Sequence, residues 1–251
     1  MKKISKKHFA KLSIIVTLIF LLQATLFAEA ISNRTGTVKI TKPDGSVFIV
    51  TKDQALPDIP SGSTVEILDG SAYIAPADAL INLVVGNSIS VIEAGDRVSI
   101  SFDPATGDSV FRVSAGEITV TTGNTKTTIR AGQAARINFD EGTGTAEIRS
   151  LAGDIDTETA GVKAMLTPGA AAIIRADAAT RTISIESADG MIRVVGIDGS
   201  ADLLAKGESI ETPASDETEI TSYAEEKAQE LQEAREEPAE PDRSEGSAFT
   251  P

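Results

Sequence analysis

The chain has 251 residues, of which 23 are basic and 37 acidic, giving a formal net charge of −14, and it contains no cysteine or tryptophan. Its only histidine is His8, so nothing downstream can build a Ser-His-Asp or Cys-His site, or a zinc site from nitrogen and sulfur ligands. So acidic a chain repels phosphate backbones and anionic membranes, which sets nucleic-acid binding aside.

Residues 1–30 read as a signal peptide. Lys2, Lys3, Lys6, Lys7 and Lys11 precede an apolar run from Ile14 to Phe27, and Ala28-Glu29-Ala30 offers small residues where a signal peptidase cuts. The run is short for a spanning helix, and no cysteine follows it to carry a lipid. Cleavage would leave a chain from Ile31 with 18 basic against 36 acidic residues, a net charge of −18. The expected location is periplasmic or secreted, with no membrane span after cleavage; a retained anchor is the competing reading. An exported chain without cysteine must rest on its buried core alone, which its length permits.

From Gly36 to about Glu211 the chain is written in runs of four to six alternating residues, among them "TVKIT", "STVEIL", "RVSISF", "SVFRVS", "EITVTT", "ARINF", "TISIES" and "MIRVV". Period two, rich in Ile, Val and Thr, predicts short strands. Turn chemistry separates them in "KPDGS" (42–46), "LDGS" (68–71), "DPATGD" (103–108) and "IDGS" (197–200). Only "APADALINL" (75–83) leaves room for a turn or two of helix. The prediction is an all-β domain over 31–211, solenoid-like or a sandwich of short strands, with a core of Ile, Val, Leu and Ala.

Glycine-led phrases recur along it. An offset of 74 residues pairs Gly95 with Gly169, Ile100 with Ile174, Asp103 with Asp177, Gly116 with Gly190, Ile118 with Ile192 and Val120 with Val194. The matches suggest an internal repeat, 95–138 against 169–212, with Gly36 opening a more divergent copy; convergence of strands that all follow a turn is the plainer alternative. Gly36, Asp69, Gly70, Gly116, Gly132 and Gly190 are the expected structural turn positions, the glycines supplying positive φ.

Composition changes after Glu211. Residues 212–237 are predicted to hold an acidic helix, its pattern running from Asp216, with Ile220, Tyr223 and Leu231 on one face as a candidate partner-binding stripe. Pro238 and Pro241 stop it, and 238–251 has the composition of a disordered tail. A solvated, frayed tail is the rival reading of the whole segment.

Two groups of carboxylates invite chemistry. "GDIDTET" (153–159) sets Asp154, Asp156 and Glu158 at alternate positions, a weak calcium candidate; the EF-hand pattern fails, since its glycine would be Thr159 and its bidentate Glu would be Met165. On a strand the three share one face, and a charged edge that discourages aggregation explains them equally. Asp103 and Asp108, with Asp177, have the look of paired glycosidase carboxylates, but stacking aromatics are scarce and Asp-Pro opens turns. No glycine-rich phosphate loop precedes a helix. No catalytic residue, metal site or cofactor is assigned.

The stretch "GTVKITKPDGSVFIV…GSTVEILDGSAYIAPADALINL…FRVSAGEITVTTGNTKTTIRAGQAARI" resembles the periplasmic FecR domain. The resemblance rests on Gly36, Val38 and Ile40, on Asp69, Gly70 and Ser71, and on Gly116, Ile118, Val120, Ile129, Gly132 and Ala135, covering roughly 36–138, with 166–210 as a partial second copy. It implies an all-β, solenoid-like periplasmic domain that binds other proteins without catalysis. Members that regulate sigma factors carry a cytoplasmic domain ahead of the apolar run; only about 13 residues stand there here. The expectation is therefore a non-enzymatic exported protein that binds a protein or cell-envelope partner or acts as a scaffold. A calcium- or glycan-binding surface module and an envelope signalling component related to sigma-factor regulators are the alternatives.

Overall fold

Alternation along a strand sends one side chain to the core and the next to water, and that rule generates most of this molecule. The computed structural model describes residues 30–221, and among them are twenty strands and no helix. The first seven are β1 (Ile31–Ser32), β2 (Val38–Thr41), β3 (Val47–Val50), β4 (Ser63–Ile67), β5 (Gly70–Ile74), β6 (Ile81–Val85) and β7 (Ser88–Ile92). Six more follow as β8 (Arg97–Asp103), β9 (Asp108–Ala115), β10 (Glu117–Thr122), β11 (Thr125–Arg130), β12 (Ala134–Asp140) and β13 (Thr145–Ala152). The last are β14 (Ile155–Thr159), β15 (Val162–Leu166), β16 (Ala171–Asp177), β17 (Thr182–Asp189), β18 (Met191–Val195), β19 (Ala201–Ala205) and β20 (Ser209–Pro213). The fold is all-β.

These strands form two sheets. The nine-stranded sheet has the order β1-β5-β8-β9-β12-β13-β16-β17-β20, and the eleven-stranded sheet β19-β18-β15-β14-β11-β10-β7-β6-β4-β2-β3. Both contribute to a single apolar cluster, with Ile100, Phe111, Ile137 and Ile174 from the first and Ile118, Ile129, Ile155 and Ile192 from the second, all essentially inaccessible. From β8 onward the chain lays one hairpin in the nine-stranded sheet and the next in the other, back and forth until β20. Strands β8, β12 and β16 start at residues 97, 134 and 171, steps of 37 residues. The same step carries Ile100 to Ile137 and Ile174, Phe111 to Ile148 and Ile185, and Ile118 to Ile155 and Ile192, all fully buried.

The N-terminal third is assembled differently. Strand β4 pairs in parallel with β6, and β5 lies in the nine-stranded sheet between β1 and β8. The expected Gly-led turn at Gly36 has another cause: its backbone is not left-handed, but a Cβ there would run into the Asp69 carbonyl. Gly70, with φ of +76°, approaches it from the other side, so that a Cβ would lie 2.7 Å from the Gly36 nitrogen. Asp69 completes the junction by accepting the Thr37 N–H on Oδ1 at 3.2 Å. Gly116, Gly132 and Gly190 stand between strands with φ of +80°, +85° and +71°. The helical turn entertained for 75–83 is absent; irregular backbone leads into β6 at Ile81.

The C-terminal expectation needs correction over its described part. Strand β20 runs to Pro213, past the expected boundary at 211, and residues 214–221 are turn and irregular backbone rather than the start of a helix. This segment crosses the hairpin ends. Ala214 N–H donates to the Arg181 carbonyl at 2.9 Å and Ser215 N–H to the Ala160 carbonyl at 2.8 Å. Arg181 Nη2 donates to the carbonyls of Ser215 and Thr218, and the Asn124 amide brackets Thr221 with two bonds of 3.0 Å. Ile220 is buried in the apolar cluster, so the core holds it where a surface stripe was expected. Tyr223, Leu231, the rest of 212–237, the tail 238–251 and the signal segment 1–29 lie outside the described residues.

Candidate functional site

The carboxylates singled out in the sequence are engaged in turns and ion pairs. Asp103 Oδ1 accepts the Ala105 N–H at 2.9 Å, and Asp177 Oδ1 accepts those of Ala179 and Thr180. The bond from the Thr180 backbone, reinforced by that of Ala179, holds the Asp177 carboxyl below the usual range. Asp108 meets Arg136 at 3.6 Å and accepts the Asn138 amide at 3.0 Å. These contacts build hairpin ends, and they do not set two carboxylates across a cleft.

Asp154, Asp156 and Glu158 do share the outer face of the eleven-stranded sheet, at and beside β14. They do not converge on a cation. Asp156 takes Arg130 Nη1 at 2.6 Å, while Arg130 Nε reaches Glu117 at 2.7 Å. The two carboxylates, Asp156 foremost, raise the guanidinium's pKa. Gln133 Nε2 donates to the Asp154 carbonyl oxygen at 2.6 Å. Among the described residues no three His, Cys, Asp or Glu side chains gather closely enough to hold a metal ion.

The feature that sequence reasoning missed lies on that same outer face. In β7 the inward row is polar at two of its three positions, Ile92 being the third. Ser88 and Ser90 point inward and are buried, whereas Ile89 and Val91 face water at 55% and 45% exposure. Each inward hydroxyl has a partner: Ser88 Oγ pairs with Thr122 Oγ1 at 2.7 Å, and Ser90 Oγ donates to the Thr119 carbonyl at 2.9 Å. The neighbouring strands continue the seam, with Thr125, Thr127, Thr157 and Thr159 buried and Thr125 bonded to Thr159 at 2.8 Å. Satisfied hydroxyls make burial of this seam tolerable.

Two shallow grooves follow the outer face. One, of about 510 Å³, is lined by Asn82, Val84, Ile89, Val91 and Thr121 among others. The other, of about 550 Å³, is bordered by Lys126, Arg130, Glu158, Lys163, Met165 and Arg193. Thr119 borders both. Strand register explains the second: Lys126 lies opposite Glu158 and Glu158 opposite Lys163, while the next row runs Thr128, Asp156, Met165, Arg193. An apolar groove thus runs into a ladder of alternating charge. Such a surface offers area and charge to a partner. The signal for it stood in "SISVI" (88–92), where alternation shows two apolar faces' worth of candidates and cannot say which one turns outward.

No family model matches the chain, and no curated protein matches it.

Proposed function

We propose that this is an exported, non-enzymatic, FecR-like β protein that binds a protein or cell-envelope partner on the outer face of its eleven-stranded sheet. One observation carries the reading: β7 buries two serines and exposes Ile89 and Val91 beside Val84. Two inward serines cost core apolar area, and an exposed apolar patch rimmed by polar residues is what a docking surface requires. The Lys126–Glu158–Lys163 row beside it supplies charge that sets orientation more than affinity. The 37-residue spacing of hairpin pairs supports a solenoid-like internal repeat, with the 74-residue offset in the sequence as two of its steps. The repeat lengthens a flat face without adding chemistry, which suits binding.

The test is site-specific photocrosslinking in the native host, with the probe at Ile89 and, for comparison, at Ser184 on the outer face of the other sheet. A discrete adduct at Ile89 that Val91→Glu abolishes, with none at Ser184, is the expected result. Equal adducts at both positions, or none at either, would remove the docking face. Calcium raising the melting temperature by many degrees would shift the reading to a cation-binding module.

A further inference from the structure

We infer that the acidic segment after Thr221, residues 222–245, turns back on its own chain and lies along the charged groove on the outer face of the eleven-stranded sheet. The contact does not rest on the partner reading; a partner that used the Lys126–Glu158–Lys163 row would have to displace the segment.

The groove holds more positive than negative charge. Its lining carries Lys126, Arg130, Lys163 and Arg193 against Asp156 and Glu158. Arg130 is taken by Asp156 and by Glu117. Lys126, Lys163 and Arg193 are exposed, and the ion pairs among the described residues use none of them. Glu158 lies opposite both lysines and can neutralise one of them. A positive excess therefore stays at this place on a chain whose net charge is −14, and it attracts an anionic segment.

The chain delivers such a segment to the edge of the groove. Ile220 is buried, and Thr221 is bonded through its N–H and its carbonyl to Asn124, in the turn of the β10–β11 hairpin. Lys126 stands two residues further along that hairpin. Residues 222–245 hold nine acidic and three basic residues, a net charge of −6, and their first carboxylates are Glu225 and Glu226. Strands β14, β15 and β18 follow β11 in the sheet, so Arg193 lies three strand spacings, about 14 Å, from Lys126 across the strands. Ser222 to Glu230, fully extended, would span about 30 Å, enough to pass all three cations. On the β7 side of the hairpin lies the apolar groove, whose charged lining residues, Glu93 and Glu117, are both acidic. Charge thus turns the segment toward β14, β15 and β18. Its tether keeps it at an effective concentration on the order of millimolar, above what a second copy supplies in dilute solution.

Paramagnetic broadening of amide signals in the purified protein tests this, because the chain has no cysteine and a nitroxide on Ala234→Cys reports from one position alone. Val84 and Lys163 are matched reporters. They lie in one cross-strand row, each two strands from the β10–β11 hairpin and on opposite sides of it. At low salt the Lys163 amide signal should be lost while that of Val84 is kept. In about 1 M salt, where the Debye length falls to about 3 Å, the difference should disappear. Lys126→Glu, Lys163→Glu and Arg193→Glu together should abolish it at low salt. All three side chains are exposed, so the variant is expected to keep the wild-type circular dichroism spectrum; if it does not fold, the salt series on the unaltered groove decides. Broadening at Val84 that equals or exceeds that at Lys163, or a preference that survives salt or the triple substitution, would overturn the inference. So would loss of the Lys163 signal from an isotope-labelled chain without nitroxide when it is mixed with an unlabelled chain that carries one, since the occupant would then be the segment of a second copy.

Discussion

The two parts of this protein reach the same sandwiching of sheets by different routes. From β8 onward nearly every strand pairs with its neighbour in sequence or with the hairpin one step of 37 residues away. Before β8 several pairings skip along the chain: β1 with β5, β5 with β8, and β4 with β6 in parallel. Hairpins carry their own register in their turns, so the later region can vary at any one turn and keep its pairing. The earlier region has that local rule only in its hairpins β2–β3 and β6–β7, and a close backbone approach at Gly36 and Gly70 fixes the junction between its two sheets. Left-handed residues other than glycine occur in both regions, at Asn33 with φ of +49° in the first and at two hairpin turns in the second. Ala160 and Arg181, with φ of +46° and +52°, stand where Gly123 and Gly144 stand one step earlier. The hairpins absorb the strain there, and Arg181 uses its guanidinium to hold the segment after β20.

The sharpest way to break this comparison is to add a side chain at glycines of each region. Gly70→Val combines a left-handed backbone with a collision against the Gly36 backbone, which no side-chain rotation relieves. It should cost about 4 kcal/mol, the sum of a strained φ and an overpacked site. Gly169→Val meets open space within 4 Å and suffers only the φ of +87°, so about 1–2 kcal/mol is expected. Gly190→Val, whose Cβ would lie 2.9 Å from the Ala170 Cα, falls between them. Urea melts of the three rank them. Equal costs at 70 and 169 would show that the early region is no more dependent on close approach than the hairpins are.

A second test follows one kind of hairpin turn from the early region, at Gly86 between β6 and β7, into the later one. A Cβ on Gly86 would lie 2.7 Å from the Phe102 ring; one step on, the same relation holds for Gly123 and Phe139, and the next step has Ala160 and Ala176 at the corresponding positions. The alanine is admitted where the ring is gone. Gly86→Ala should therefore cost about 2 kcal/mol in wild type and about 1 kcal/mol less in the Phe102→Ala background, a coupling of the size that residues in contact show. Strict additivity of the two substitutions would mean that the ring moves aside freely and that the exchange at Ala160 and Ala176 has no packing basis.

The strands were legible because their cause is local. Alternation at "TVKIT", "RVSISF", "EITVTT" and "MIRVV" corresponds to β2, β8, β10 and β18 almost residue for residue. What alternation cannot carry is which sheet a strand joins and which of its faces is inward. In "SISVI" both sets of side chains fit a strand, and the inward choice of Ser88 and Ser90 depends on hydroxyl partners at Thr122 and Thr119, about thirty residues away. The 37-residue spacing was itself legible, since Gly95, Ile100, Asp103, Gly116 and Ile118 recur at Gly132, Ile137, Asp140, Gly153 and Ile155 as well as at the 74-residue offset, and only Thr157 stands between Val120 and Val194. Asp154, Asp156 and Glu158 could be read as one face, but the Arg130 that occupies Asp156 comes from a neighbouring strand. Ile220 misled because a helical stripe and a core contact look alike in sequence.

The smallest expected effect concerns a device the two regions share. Asp44-Gly45-Ser46 joins β2 to β3 and Asp198-Gly199-Ser200 joins β18 to β19, so the hairpins at opposite edges of the sheet turn on the same three residues. In each, Oδ1 of the aspartate accepts the serine hydroxyl at 2.6 Å and the serine N–H at 2.9 Å. Those bonds, the hydroxyl's first, hold both carboxyls below their ordinary pKa. A folded pKa lower than the unfolded value, about 3.9, makes the contribution complete above that value and loses it as pH falls through the folded pKa. Asp44→Asn and Asp198→Asn keep an acceptor oxygen but cannot titrate, so each should lose slightly less melting temperature than wild type between neutral pH and about pH 3. The two turns are identically hydrogen-bonded, but Lys42 also lowers the Asp44 carboxyl and Asp198 has no such contribution, so the difference should be slightly larger for Asp44→Asn. A larger change for Asp198→Asn would show that the later hairpin leans on its aspartate more heavily than the early one does, against the charge that Lys42 adds at Asp44.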